Sequence, residues 1–277
     1  MIILDKIERV EGALIHHGPY NDRLYILKFP SDGNGDTVRR LTEKAYTKGY
    51  SKIVGKIPKR GVNNFLDKGY SIEAVVPRFY NNRDSCYFVA KYLNSARKKI
   101  NSKKLDDFKL FIEKYQNKKT SVTSGRYQAK ELDESDISDI SALFRQVFDS
   151  YPFPIHKKKY IYETMCNSVL YYGIYIDSLL MSVSSAEMDR DNQNAEMTDF
   201  AVLDSARGLG LSKILLDRME VDMQKRDIKT LYSIARMESM PMNRTFLSSG
   251  YIFAGCLKNN TNIAGGIESM NVWYKHI

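Results

Sequence analysis

A mixed α/β fold in two units is predicted for this chain, on three observations. The second half orders its elements as helix, hairpin, strand, glycine-bearing turn, helix and strand, so the hydrophobic period switches repeatedly between 3.6 and two residues. A stretch of the first half echoes that order. The chain has 277 residues, which is long for one compact domain and gives each half enough chain to bury a core of its own. The expected division is a smaller N-terminal α/β unit over 1–120 and a second unit over 126–277 built on a mixed, α+β-type sheet.

In the first half, VRRLTEKAYTKGYSKIVGKIPKRGVNNFLDKGYSIEAVV reads as helix, strand, helix, a Gly-Tyr pair and strand. An amphipathic helix follows at about 105–115, and periodicity then vanishes in the small polar stretch NKKTSVTSGRY, 117–127, where the boundary is placed. Beyond it, LDESDISDI supplies acidic and serine residues suited to a helix start. Ile137, Ile140, Leu143, Phe144 and Val147 then fall on one helix face. The runs 170–176 and 180–186 are separated by Asp177-Ser178 and read as a hairpin, with a third strand at 195–203. The turn ARGLGLS comes next, then a helix carrying Leu211, Ile214, Leu215, Met219 and Met223, then a strand at 231–235.

The echo between the halves has recognisable landmarks. Phe65-Leu66 precedes Gly69-Tyr70 as Phe246-Leu247 precedes Gly250-Tyr251, and the double asparagines Asn81-Asn82 and Asn259-Asn260 follow. A degenerate duplication and a chance likeness of two α/β units both fit this pattern. The first half has no counterpart of the Arg-Gly-x-Gly turn.

Charge divides unevenly. The net charge is +9; through Gly125 there are 25 Lys+Arg against 13 Asp+Glu, and after it 17 against 20. Much of the basic excess lies in the run 97–119, which reads as a solvated helix, and no aromatic-interleaved basic motif accompanies it. Neither nucleic acid nor membrane is therefore an expected partner. Cys86, Cys166 and Cys256 are too scattered for a disulfide framework or a C-x-x-C site. His16-His17, His156 and His276 lack metal-ligand spacing. No apolar run approaches the ~18 residues of a membrane span, and a cytoplasmic monomer or homodimer is expected.

The chemistry is expected at Arg207-Gly208-Leu209-Gly210-Leu211-Ser212, between a strand and a helix. Glycines there let the backbone turn tightly and present several N–H groups, and the helix start adds partial positive charge, so a pyrophosphate would be held. A plain connecting turn is the bland alternative. With the strand EMTDFAVL before it and YSIARMESMPMNRTFLSSGY after it, this turn resembles the signature of the GNAT acetyltransferase superfamily, departing from it at Ser212. The segments FDSYPFPI, EMTDFAVL, MNRTFLSSGY and NNTNIAGGIESMNVWYK further resemble the beta-lysine N-acetyltransferases, which make the compatible solute N-acetyl-beta-lysine. This second resemblance extends over the whole chain.

The resemblance implies acetyl-CoA as cosubstrate and a small-molecule amine as acceptor, with no metal. It implies that the Phe200 amide meets the thioester carbonyl, that Val202 runs beside the pantetheine, and that Asn243 bonds to the cofactor, where helix capping is the alternative. The acceptor amine, with a reference pKa near ~10.4, must lose a proton before attack. The resemblance implies Glu196, which precedes Arg207 by the spacing that separates the base from the glycine turn in related histone acetyltransferases, as the base or as an anchor for the substrate, with Asp199 second. Asp199 reaches the same face only if a bulge intervenes. Many GNAT members carry a tyrosine as general acid where this chain has Phe246, so that role does not transfer. Tyr151 and Phe153 are expected to wall the acceptor site, and Asn260, Asn262, Glu268 and Asn271 to receive its ammonium and carboxylate groups. Other amines (polyamines, lysine, protein lysine) stay open as acceptors. So does a non-catalytic protein that senses acyl-CoA and binds nucleic acid through its basic half.

Overall fold

The computed structural model describes residues 5–115 and 126–277, so the boundary expected at 117–127 falls almost wholly outside the described residues. The first half runs β1 (Lys6–Val10), β2 (Ala13–Gly18), β3 (Arg23–Lys28), α1 (Gly35–Thr47), β4 (Lys52–Pro58), α2 (Lys59–Leu66), β5 (Ser71–Tyr80), β6 (Asp84–Tyr92) and α3 (Ser102–Tyr115). The second runs β7 (Lys130–Leu132), α4 (Ile137–Val147), α5 (Lys158–Cys166), β8 (Val169–Ile176), β9 (Leu179–Asp189), β10 (Asn194–Val202), α6 (Leu211–Lys225), β11 (Thr230–Arg236), α7 (Met240–Ser248), β12 (Ile252–Ile263) and β13 (Gly266–His276). No described helix is long and apolar enough to cross a membrane.

All the strands belong to one 13-stranded sheet, ordered β1-β2-β3-β4-β6-β5-β12-β13-β11-β10-β9-β8-β7. The connectivity of β1 to β6 is repeated by β8 to β13. In each set two antiparallel pairings lead to a parallel pair joined by a crossover helix, α1 between β3 and β4 and α6 between β10 and β11. Even the irregularities recur. β5 shifts register between Ile72/Ala74 and Val76/Tyr80, and β12 between Phe253/Gly255 and Leu257/Thr261. This alignment pairs Asn81 with Asn262, which corrects the expected match of the double asparagines: Arg78 and Asn259 hold the equivalent left-handed positions, at φ 51° and 41°.

The first half packs α1 and α2 on one face of the sheet, whereas the second half covers both faces, with α4 and α5 on one and α6 on the other. Val38, Leu41 and Ala45 of α1 and Val62 and Phe65 of α2 bury against Leu24, Ile26, Ile53 and Ile57, which leaves Arg23, Tyr25 and Lys56 on the opposite face. In the second half Leu215, Leu216, Met219 and Met223 of α6 pack on Met197, Leu231 and Trp273. The amphipathic helix expected to close the first unit, α3, docks across this second core, with the Phe108 ring 5.2 Å from Phe253.

The halves join where β5 meets β12 antiparallel, with Gly255 opposite Ala74. Gly255 has φ 146°, and a Cβ there would stand 2.1 Å from the Glu73 carbonyl oxygen and 2.7 Å from Ala74 Cα. The strands cross that closely only because the side chain is absent. Around the crossing, first-half side chains hold the bulged segment of β12. Lys52 pairs with Glu73 at 2.9 Å and donates to the Lys258 carbonyl; Arg97 Nε donates to the Asn259 carbonyl at 2.6 Å; Asn262 Nδ2 donates to the Tyr20 carbonyl at 2.8 Å.

The sheet then curls. β3 and β10 stand seven positions apart in the strand order, which a flat sheet would hold about 33 Å from each other. Instead the two faces meet: Phe79 packs on Tyr232 at 4.9 Å between ring centroids, Thr230 Oγ1 donates to the Arg78 carbonyl, and the Asn81 amide donates to the Asn192 carbonyl.

Gly255→Ala is expected to break the crossing and lower stability by about 3 kcal/mol or more, a fall of roughly 6 °C or more in Tm for a chain of this size. A thermal melt checks it. An unchanged Tm would show that the join does not depend on this approach.

Candidate active site

The inner face of the curled sheet encloses a cavity of about 1370 Å³. Its floor is a fork in the sheet. β10 and β11 pair in parallel only from Asn194 to Glu196, opposite Thr230 to Tyr232, and then separate. The cause lies in β10, whose pairing with β9 skips between Thr198 and Ala201, with Asp199 at φ 55°. This is the bulge that Asp199 required. Past the fork, Phe200 and Val202 on one side and Ser233, Ile234, Ala235 and Arg236 on the other line the slot, and Phe246 of α7 stacks edge-on against Phe200. Backbone polar groups on the β11 side of β10 have no strand partner here, so they are available to an extended ligand.

The slot opens onto the glycine turn. Gly208 and Gly210 have φ of 84° and 75°, and Gly210 sits at the N-cap of α6 with no side chain capping the helix and no acidic residue in its first turn. Arg207, Gly208, Gly210, Leu211, Ser212 and Lys213 border the cavity; Arg207 is exposed beside Asp204, at 2.7 Å, and Leu209 projects away into solvent. A helix start left open in this way, with backbone N–H groups and a fixed partial positive charge, suits a phosphate. The equivalent start in the first half is closed. Asn34 Oδ1 accepts from the amides of Asp36 and Thr37, and Asp36 adds a negative charge.

At the inner end of the slot stand three carboxylates, Glu187, Glu196 and Asp199. Asp199 is buried and accepts hydrogen bonds from Ser185 Oγ at 2.6 Å and from Tyr151 Oη. Glu187 and Glu196 border the space inside the cavity while protein surrounds them. Burial pushes all three carboxyls up from their ordinary range, Glu187 to about 8 with the charges of Glu196 and Asp199 adding to the shift. Lys56 and a hydrogen bond from Tyr232 oppose the shift of Glu196. Lys56 Nζ itself donates to Tyr232 Oη at 3.1 Å. The group can therefore attract an ammonium and hold or release protons near neutral pH.

The expected acceptor residues divide. Tyr151, Phe153 and Asn260 line the cavity, and Phe153 stacks at 4.6 Å on His16, whose ring burial holds uncharged with its pKa lowered to about 3. Asn262, Glu268 and Asn271 are not in its wall. Asn262 ties β12 to the first half through Tyr20 and Asn21. Glu268 forms a two-bond pair with Arg236, at 2.9 and 2.7 Å. Asn271 Nδ2 donates to Asn243 Oδ1. Asn243 is not in the cavity wall either. Fully buried, it donates to the carbonyls of Arg236, Met237 and Ser239 and accepts from Trp273 Nε1, so it fixes the start of α7 against β13.

Sequence reasoning missed Glu187, Arg23, Tyr25 and Lys56. The last three were legible in part, because each interrupts an apolar strand in alternation and so shares a face opposite the core.

Comparison with known proteins gives the class its name. The acetyltransferase (GNAT) family profile matches residues 140–251, the stretch that carries the fork, the glycine turn and both helices flanking β11, and the protein is an N-acetyltransferase that uses acetyl-CoA. The beta-lysine N(6)-acetyltransferase of Methanococcus maripaludis is 35% identical over 273 residues, 98% of this chain and 99% of that one. The beta-lysine N(6)-acetyltransferase of Methanosarcina mazei is 31% identical over 84% of this chain and 94% of its own. N-acetyltransferase YodP of Bacillus subtilis is 28% identical over 96% of each. The chain belongs to the beta-lysine N(6)-acetyltransferase family.

Two substitutions separate ligand from scaffold. Gly210→Asp places a carboxylate at the open helix start and is expected to weaken CoA binding by about 10²-fold or more, read by calorimetry, while circular dichroism stays unchanged. Unaltered affinity in the folded variant would remove the turn from the donor site. Asn243→Ala strips partners from Trp273, Asn271 and three carbonyls. It should lose roughly 3 kcal/mol of stability in a denaturant titration and leave the KM for acetyl-CoA within about twofold. A large rise in that KM at unchanged stability would restore Asn243 as a ligand.

Proposed function

We propose that the protein transfers the acetyl group of acetyl-CoA to the terminal amine of beta-lysine (3,6-diaminohexanoate), giving N-acetyl-beta-lysine. The observation that carries this reading is the carboxylate group at the end of the donor slot: Glu187, Glu196 and Asp199 form an acidic pocket for a cationic amine just where β10 and β11 part. Family membership along nearly the full chain supports the choice of acceptor.

Bound acetyl-CoA supplies the acetyl group as a thioester. The residues Gly208 to Ser212 hold its pyrophosphate, and the free backbone edge of Phe200 to Val202 holds its pantetheine. The Phe200 amide is the donor to the carbonyl oxygen, and a donor fixed in advance contributes ~3 kcal/mol in comparable sites. Glu196 takes the proton of the acceptor ammonium, directly or through water. Asp199, held by Tyr151 and Ser185, keeps the local field negative, so the amine enters as a cation and surrenders its proton to Glu196, whose proton affinity burial raises. Phe246 offers no proton, so the departing thiol, with an ordinary pKa near ~8.5, leaves without a tyrosine acid. In the first half the closed start of α1 supports reading 1–120 as a degenerate copy that binds no acetyl-CoA and completes the acceptor end.

Glu196→Gln keeps shape and removes the proton acceptor. kcat should fall about 10²-fold or more while the KM for acetyl-CoA barely moves. Because the folded-state pKa of Glu196 is raised, its basic form is depleted at low pH, so wild-type activity should climb with pH through neutrality. The loss in the variant should shrink toward pH 10, where more amine arrives deprotonated. A variant with wild-type kcat from pH 7 to 10 would exclude Glu196 as base.

A further inference from the structure

The first half contributes to the cavity wall a buried cation that forms no ion pair among the described residues. Arg23 is 3% exposed and borders the cavity. Its Nη1 donates to the Asn260 carbonyl at 2.6 Å and to Thr261 Oγ1 at 2.9 Å, both neutral oxygens. Its Nε is buried without a partner, and among the described residues no carboxylate is paired with it. Its neighbours share the deficit. Tyr25 and Asn260 also line the cavity, and Tyr25 Oη and Asn260 Oδ1 are both buried without a hydrogen-bond partner. Tyr25 lies 5.1 Å below the guanidinium.

Buried arginines are ordinarily paired, because an unpartnered charge away from water is strongly disfavoured. A free Nε–Nη2 edge is the geometry that grips a carboxylate by two parallel bonds. Arg23 and Tyr25 alternate on one face of β3, about 7 Å apart along the strand. The field of Glu196 reaches Tyr25, so these groups lie along one path toward the acids.

We propose that Arg23, with the Tyr25 hydroxyl, binds the carboxylate of the acceptor, and that Asn260 Oδ1 receives the neighbouring 3-ammonium, so that the chain selects a diamine bearing a carboxylate and delivers its far amine to Glu196. The proposal rests on the acceptor reading given above and deepens it. Specificity then comes from the half that does not hold the donor. An acceptor without a carboxylate leaves the arginine desolvated and unpaired, which penalises it at this site.

The test uses the full-length enzyme, acetyl-CoA, and two acceptors that differ in one group, beta-lysine and 1,4-diaminopentane, its equivalent without the carboxylate. Wild type should favour beta-lysine by about 10²-fold or more in kcat/KM. Arg23→Gln should lower kcat/KM for beta-lysine by about 10²-fold, mainly through KM, and change that for 1,4-diaminopentane less than threefold, with the KM for acetyl-CoA unmoved. If Arg23→Gln does not fold, the wild-type preference and the comparison of beta-lysine with its carboxamide still decide. Equal use of acid and amide by wild type, or equal losses on both acceptors in the variant, would overturn the Arg23 assignment and leave beta-lysine acetylation standing. Failure of wild type to acetylate beta-lysine at all would overturn both.

Discussion

The approach of β5 to β12 at Gly255 is the constraint on which the site depends. Were the strands a side chain further apart, the half-sheets would not share a ladder, and the curl that brings β3 over β10 would have no fixed hinge. The polar groups gathered at the crossing are arranged so that few are left bare: Lys52 and Glu73 satisfy one another, and Arg97, Tyr20 and Asn21 satisfy the backbone and side chains of the β12 bulge. A buried ion pair of this kind contributes little net stability compared with apolar packing. Its use here is to fix the register in which two twisted sheets meet.

From that register follows a division of labour. The second half forks its own strands to make the donor slot, and its fork needs the left-handed Asp199. That residue is a carboxylate, so one local distortion both opens the slot and directs an acid into its end. The first half supplies Tyr25, Lys56 and Arg23 across the gap. Neither half encloses the acids alone. Three carboxylates with raised proton affinity oppose folding once they ionise, since charge is taken from water and Lys56 offsets only part of that at Glu187 and Glu196. A cationic acceptor would relieve that opposition, so the same burial that raises the acids favours a cation beside them.

How much of this was legible in the sequence depends on the range of the contacts involved. Most elements of the second half and the glycine turn follow from short windows, where periodicity and glycine chemistry act locally, whereas Glu196 followed only from the resemblance to acetyltransferases. The asparagines of the C-terminal hairpin did not follow. Asn262 and Asn271 look like ligands because polar residues near a strand end usually face solvent or substrate, but their partners lie outside the hairpin, Tyr20 and Asn21 in the turn between β2 and β3 and Asn243 on α7. Asn243 failed for the related reason that a buried amide with five good bonds is indistinguishable, in one sequence, from an exposed cap. Arg23 and Lys56 belong to a third case. Their alternation within apolar strands marks a second face, and only the sheet order says that this face is covered by the other half.

The two helix starts show why a repeated connectivity need not repeat a function. α1 and α6 occupy equivalent places after equivalent strands, and both present unpaired backbone N–H groups to the end of the sheet. At α1 those groups are answered from within by Asn34, and Asp36 makes the first turn repel an anion. At α6 glycine supplies the turn but no side chain to answer them, so they stay open to a ligand. β3 and β4 pair over Arg23 to Ile26 and β10 and β11 over Asn194 to Glu196, so Arg23 and Tyr25, like Asn194 and Glu196, stand on the paired stretch of their strands. An intact ladder there holds Arg23 and Tyr25 at fixed spacing on one face.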